Sequence, residues 1–182
     1  MMSSQLRLFA RHARFATSSR SRGLVTMTEI EEKIKGLGLE LPEPAMSKGA
    51  FDQCHIVGYI AYFSGHLPQQ ADKPLITGKI GKDMTVEQGY EAAKVVGLNL
   101  ISSMKSNLGS LDKVKRVVKL TGFVNSVDGF TEQPQVINGC SELFRKVFNE
   151  EQSGHARSAV GTNGLPLGVP VEIEAVVEIH TD

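Results

Sequence analysis

The sequence predicts an α+β domain in which one mixed β-sheet carries two amphipathic helices on a single face. Three observations lead there. Two segments place apolar residues at helical spacing behind clear start signals. Short β-rich segments flank them, in the order hairpin, helix, strand, helix, two strands. Each helix has only one apolar stripe, so each can cover a sheet from one side only. A chain of 182 residues, 41% hydrophobic, suits one domain rather than two. Trp is absent and aromatics make up 6%, so the core must be built mainly from Val, Ile and Leu.

Taken in order, the first element is a short helix. Thr28 and Glu31 form a capping box, Ile30, Ile34 and Leu37 follow at helical spacing, and Gly36-Leu37-Gly38 ends the run. A hairpin is expected from Phe51 to Val57 and Tyr59 to Ser64, turning at Gly58. The strongest helix opens at Thr85, capped with Gln88, and closes at Gly109. Its stripe is Val86, Tyr90, Ala93, Gly97, Leu100, Ile101, Met104 and Leu108, and the glycine within it predicts close approach to a sheet. Val114 to Asn125 reads as a strand. A second helix begins near Pro134, with Val136, Ile137, Cys140, Leu143, Phe144, Val147 and Phe148 on its apolar face. Two strands close the chain, Arg157 to Thr162 and Val171 to His180. No chain remains to cover the second sheet face, so self-association is the natural solution.

The formal charge of zero conceals an asymmetry. Arg7, Arg11, Arg14, Arg20 and Arg22 all precede Glu29, the first acidic residue. Without those five, 15 of the 20 basic residues face 20 acidic ones, a net of −5, which lacks the electrostatic footprint of a nucleic-acid binder. Residues 1–27 combine Arg and Ser with Leu6, Leu8, Phe9 and Phe15, the composition of a mitochondrial or plastid transit peptide. We expect residues 1–27 to be a mitochondrial targeting segment and residues 28–182 the functional domain; the protein would be cytoplasmic if translation starts at Met27. No apolar run is long enough for a membrane-spanning helix. Cys54 and Cys140 lie in apolar segments without metal-ligand spacing and read as buried free thiols.

Residues able to carry chemistry are few. Phosphate-loop and nucleophile-elbow motifs are absent, and His55, His66, His155 and His180 are scattered without ligand spacing. Arg157 opens an apolar strand, where a guanidinium is costly unless it meets an anion; its paired donors match a carboxylate. From the pattern alone a structural salt bridge or an exposed strand end is the better account. Glu172 and Glu174 alternate along Val171-Glu172-Ile173-Glu174-Ala175 and so share a face, which is either a site or the solvated side of an edge strand.

Arg157-Ser158-Ala159-Val160, then Leu165-Pro166, then Val171-Glu172-Ile173-Glu174-Ala175 resemble the C-terminal signature of the Rid/YjgF family. Ser64-Gly65 followed by Pro68 resembles its strand-end motif, and Phe123-Val124, Phe130 and Asn138 match its middle segment. The similarity spans roughly Gly49 to Ile179. It implies a homotrimer of chorismate-mutase-like fold with clefts between subunits, acting on small 2-imino or enamino acids such as 2-iminobutanoate and 2-iminopropanoate. Arg157 would bind the substrate carboxylate and Glu172 would hold and polarise the attacking water. Ser64, Asn138, Phe51 and the backbone at Ala159 would line the cleft, with Glu174 structural. No metal or organic cofactor is implied, and the expected partners are the substrate and further copies of the chain, without nucleic acid or membrane.

Several positions depart from the family pattern. Phe51 stands where typical members carry a Tyr hydroxyl, and Ala159 where many carry Cys. The loop through Thr131 to Gln135 is longer, and a helix precedes the domain. These changes suggest a divergent subgroup. A trimeric module that binds small carboxylates without catalysis is the main alternative. A nuclease-like or translation-inhibiting activity, attributed to some members, and a chaperone-like role are others; the acidic body opposes the nuclease.

Overall fold

A computed structural model describes residues 27–44, 49–70 and 72–180. The targeting segment expected at residues 1–27 lies, apart from Met27, outside the described residues. The sheet has five strands: β1 (Cys54–Val57), β2 (Ile60–His66), β3 (Val114–Asn125), β4 (Ala156–Thr162) and β5 (Val171–Ile179). Their spatial order is β1-β2-β5-β3-β4. The β3–β4 pair is parallel and the other three are antiparallel, so the sheet is mixed as expected.

The helices are α1 (Glu29–Gly36), α2 (Val86–Leu108), α3 (Gln133–Val147) and α4 (Glu150–Ser153). Thr28 and Thr85 close capping boxes with Glu31 and Gln88, and Gly109 ends α2 in the left-handed conformation. The expected boundaries of α1 and α2 therefore hold. In α3 the helix takes up Gln133 to Gln135, the second half of the segment read as a long loop. The one-turn helix α4 escaped the sequence reading although its capping box, Asn149 with Gln152, is written there.

The core lies between the sheet and α2 and α3. Ala61 and Phe63 of β2, Leu120 and Val124 of β3, and Val171, Ile173, Ala175 and Val177 of β5 meet Val96, Leu100, Ile101, Ile137, Leu143 and Phe144 of the helices. Gly97 does mark a close approach, but to α3 rather than to a sheet: a methyl group there would press on Leu143 and Cys140. Gly139 marks a tighter one, since a Cβ would strike the backbone at Tyr90 and Lys94. Helix α1 adds an outer brace through a Glu31–Lys105 ion pair of 2.7 Å.

Two strand expectations are corrected. The first strand begins at Cys54 rather than Phe51, and β2 runs to His66 rather than ending at Ser64. Both changes follow from one bulge. Phe63 pairs with Ala175 and His66 with Ile173, so Ser64 and Gly65 together oppose the single residue Glu174. The extra residue ends the ladder with the segment before Cys54, which Ser64 still holds through its N–H to the Gln53 carbonyl (3.0 Å) and its Oγ to the Asp52 carbonyl (2.7 Å). The thiols are both free, yet Cys54 is half-buried and only Cys140 is fully buried.

Among the described residues no helix lies over the opposite sheet face. Tyr62 (49% exposed), Val160 (44%) and Val118 (38%) project there. His55, Tyr62, Ser64, Thr121 and Glu174 line a hollow on it.

Candidate functional site

The residues expected to form a site fall into two groups. The first is built on β4 and α3. Arg157 pairs in register with Leu120, whose side chain is fully buried on the helix-covered face, so Arg157 leaves the sheet on that face too. There its Nη1 donates to Asn138 Oδ1 (2.8 Å) and to Ser141 Oγ (3.0 Å), while Nη2 donates to the Pro134 carbonyl (3.3 Å). All three acceptors are neutral. Among the described residues no carboxylate pairs with this guanidinium. Three of its five N–H donors are used, which leaves Nε–H and one Nη2–H, enough for the two oxygens of a carboxylate. Asn138 thus orients the arginine, a task not anticipated for it. Ala159 lies two residues along the same strand and packs on the core. Because β4 is an edge strand, part of its backbone near Ala159 has no partner strand.

The second group gathers at the β2 bulge. Glu172 is half-buried between the buried residues Val171 and Ile173, so it leaves β5 on the uncovered face, with Glu174 beside it. Its carboxyl group lies over Gly65: a Cβ on that residue would collide with Oε1, Cδ and Cγ of Glu172. Glycine there seats the carboxyl group in the strand. Burial raises the Glu172 pKa, and the nearby charge of Glu174 raises it further. Ser64 Oγ donates to the Asp52 carbonyl (2.7 Å), tying the bulge to the segment that carries Phe51. Phe51 itself is 52% exposed. Below the bulge, buried His66 holds its Nδ1 2.6 Å from the Ser64 carbonyl, and desolvation depresses its pKa.

These groups do not meet within one chain. Glu172 pairs with Phe123, which pairs with Val160, three residues along β4 from Arg157. The separation is two strands across and three residues along, about 10 Å in each direction, with the side chains on opposite faces. A cleft using both must take them from different copies, or use them separately. Of the arginine cradle, Ser141 is not singled out by the sequence, and His155 stands there only among scattered histidines without ligand spacing. A Ser on a helix face and a His before a strand carry no spacing signal; only the helix–strand packing joins them to Arg157.

A sheet with two helices on one face, an arginine held by neutral acceptors at its edge strand and a glutamate seated on the bare face place the chain in the class of small α+β proteins to which the sequence motifs pointed. Residues 31–177 match the family model described as "YjgF/chorismate mutase-like, putative endoribonuclease". The chain belongs to this family. Protein TCP17 of Trypanosoma cruzi is 41% identical over 157 residues, 86% of this chain and 98% of its own length. The crystal structure of Atu1372 from Agrobacterium tumefaciens, whose function is given as unknown, is 41% identical with a TM-score of 0.75, covering 83% of this chain and 94% of that one. A Shewanella oneidensis structure with the same endoribonuclease description is 31% identical with a TM-score of 0.79, covering 82% and 99%. Protein MMF1 of Saccharomyces cerevisiae, named as mitochondrial, is 26% identical over 155 residues, 85% of this chain and 86% of its own length.

Proposed function

We propose that this protein hydrolyses small 2-imino acids to 2-keto acids and ammonia, in clefts formed between the subunits of a homotrimer. The observation that carries this reading is the uncompensated Arg157 cation, half-buried, held by neutral acceptors and left with two free donors. A guanidinium so placed is suited to a substrate carboxylate. Glu172 supports the second half of the reading. Its raised pKa moves it toward the range in which a carboxylate can take and return a proton near neutral pH.

The chemistry requires little more. The C=N carbon beside a carboxylate is already electrophilic. Arg157 fixes the carboxylate, and Glu172 from a neighbouring copy orients a water and accepts its proton as oxygen bonds to carbon. That proton passes to nitrogen, giving a carbinolamine; the Glu172 carboxylate then moves the hydroxyl proton to nitrogen as the C=O forms and the C–N bond breaks, releasing ammonia and the keto acid. Orientation supplies most of the acceleration, and Ser64, Phe51 and the Ala159 backbone would shape the cleft. The acidic domain argues against nucleic acid as the substrate despite the family's endoribonuclease description.

The test is ammonia and keto-acid release from freshly generated 2-imino acids. Arg157→Ala should abolish activity through lost binding, a cost of roughly 2–5 kcal/mol for a desolvated charge partner. Glu172→Gln should still bind 2-oxobutanoate in a calorimetric titration while turnover falls. Carboxylate binding without ammonia release from any imine tried would favour a non-catalytic carboxylate-binding module. Retained binding in Arg157→Ala would make that arginine structural.

We further propose that residues 1–27 direct the protein to mitochondria, with the mature chain starting between Phe15 and Thr28. The acid-free, Arg-rich leader and the mitochondrial name of MMF1 support this. A fusion of the leader to a fluorescent protein should reach mitochondria; diffuse cytosolic fluorescence would count against it.

A further inference from the structure

Arg157 is the end of a longer chain of hydrogen bonds. Ser141 Oγ, which accepts from Arg157 Nη1 at 3.0 Å, also lies 3.0 Å from His155 Nε2. His155 Nδ1 lies 2.7 Å from the Ser153 carbonyl, the last residue of α4. A carbonyl can only accept, so Nδ1 carries the proton and Nε2 is the bare acceptor. Ser141 must then donate its hydroxyl hydrogen to Nε2, which turns its lone pairs toward Arg157. Every proton in the relay therefore has one direction. Burial, and the charges of Arg157 and Arg145, lower the His155 pKa and favour the neutral ring this wiring needs.

The geometry points to Ser141 and His155 as positioning residues for Arg157, setting its guanidinium so that Nε–H and one Nη2–H face an incoming carboxylate. They touch neither the substrate nor the reacting atoms. The inference rests on the proposed role of Arg157 in carboxylate binding. The physical argument is one of occupancy. A long side chain with five donors has many ways to satisfy them, and ordering it opposes binding unless the protein has already done so. Asn138 and Ser141 together take both hydrogens of Nη1. Ser141 can do so reliably only if its own hydrogen is committed elsewhere, and His155 supplies that commitment. Without the imidazole the hydroxyl is free to rotate its hydrogen toward the guanidinium and repel it.

The experiment uses the full domain and 2-oxobutanoate as probe. Ser141→Ala and His155→Leu should each weaken binding by about tenfold, the value of one hydrogen bond to a charged group. In imine hydrolysis the loss should fall on KM, with kcat within twofold of wild type. Ser141→Thr, which keeps the hydroxyl, should restore affinity. In the ligand-free wild type, nitrogen chemical shifts of His155 should report the Nδ1–H tautomer, a measurement that needs no variant to fold. The opposite tautomer, unchanged affinity in Ser141→Ala, or a loss confined to kcat would each overturn the relay. Failure of the wild type to bind any keto acid would instead remove the carboxylate-binding reading, and the relay's role with it. That result is read on the wild type alone, so the two failures are separable.

Discussion

At the scale of single residues, the bulge is where local backbone geometry and chemistry meet. Gly65 lies under the Glu172 carboxyl group, and Ser64 holds the strand end by its bond to the Asp52 carbonyl. A methyl group at position 65 must push that carboxyl group outward, because Glu172 is the more flexible partner. We expect Gly65→Ala to fold with a loss near 1 kcal/mol, the low end for overpacking, and to lose most turnover while 2-oxobutanoate still binds. The pH profile should move as well. A base must be deprotonated to act, so activity falls as pH drops through its pKa. Burial holds the Glu172 pKa above the ordinary carboxylate value. Displacing it into water should lower that pKa and shift the acid limb of the residual activity to lower pH. An unshifted limb with full turnover would exclude Glu172 as the base. The roles proposed for Arg157 and Glu172 were suggested by the sequence only through resemblance. The pattern alone favoured an ion pair and a solvated edge, because a strand pattern does not say which residue stands across from it.

Among the elements, the longer helices were legible, and the one-turn α4 and the sheet less so. A helix announces itself locally. The Thr85–Gln88 box and Gly109 bracket α2 because capping satisfies backbone groups within a single turn. Strands answer to partners elsewhere in the chain. In β3 the covered residues are Val114, Val117, Leu120, Gly122 and Val124, spaced by three before they settle to two. Register shifts at Val114/Arg116 and Val117/Lys119 cause this, each adding a residue opposite β5, and no alternation rule recovers it. Helix contact is also a tertiary matter. Gly97 was expected to meet a sheet and instead meets α3, while the tighter contact at Gly139 was unnoticed. Backbone cannot yield as a side chain can. Gly139→Ala should therefore destabilise the fold by about 3 kcal/mol or prevent folding, against a smaller cost for Gly97→Ala; urea denaturation of both would show it. Equal, small losses would mean that α2 and α3 separate easily.

For the whole molecule the bare sheet face decides the most. Tyr62, Val118 and Val160 are exposed on it, around the hollow lined by His55, Thr121 and Glu174. Glu172 projects from this face and Arg157 from the other, so a cleft using both needs more than one copy. We expect sedimentation equilibrium at micromolar concentration to give three times the subunit mass, and Tyr62→Glu, a charge on that face, to shift the protein toward monomer and reduce activity. A monomer mass for the wild type would sink both the trimer and the shared cleft.

By itself the sequence determined the class of fold, the helix ends, the aliphatic core and the asymmetry between a basic leader and an acidic domain. Each of these depends on periodicity, capping or charge counted along the chain, which are local quantities. Only the tertiary structure decided the bulge under Glu172, the registers of β3, the α2–α3 contact, and the cradle in which Asn138, Ser141 and His155 hold Arg157. Those depend on which residues a sheet and two helices bring within hydrogen-bond reach of each other, and residues 14 to 23 positions apart in the sequence carry no mark of being neighbours.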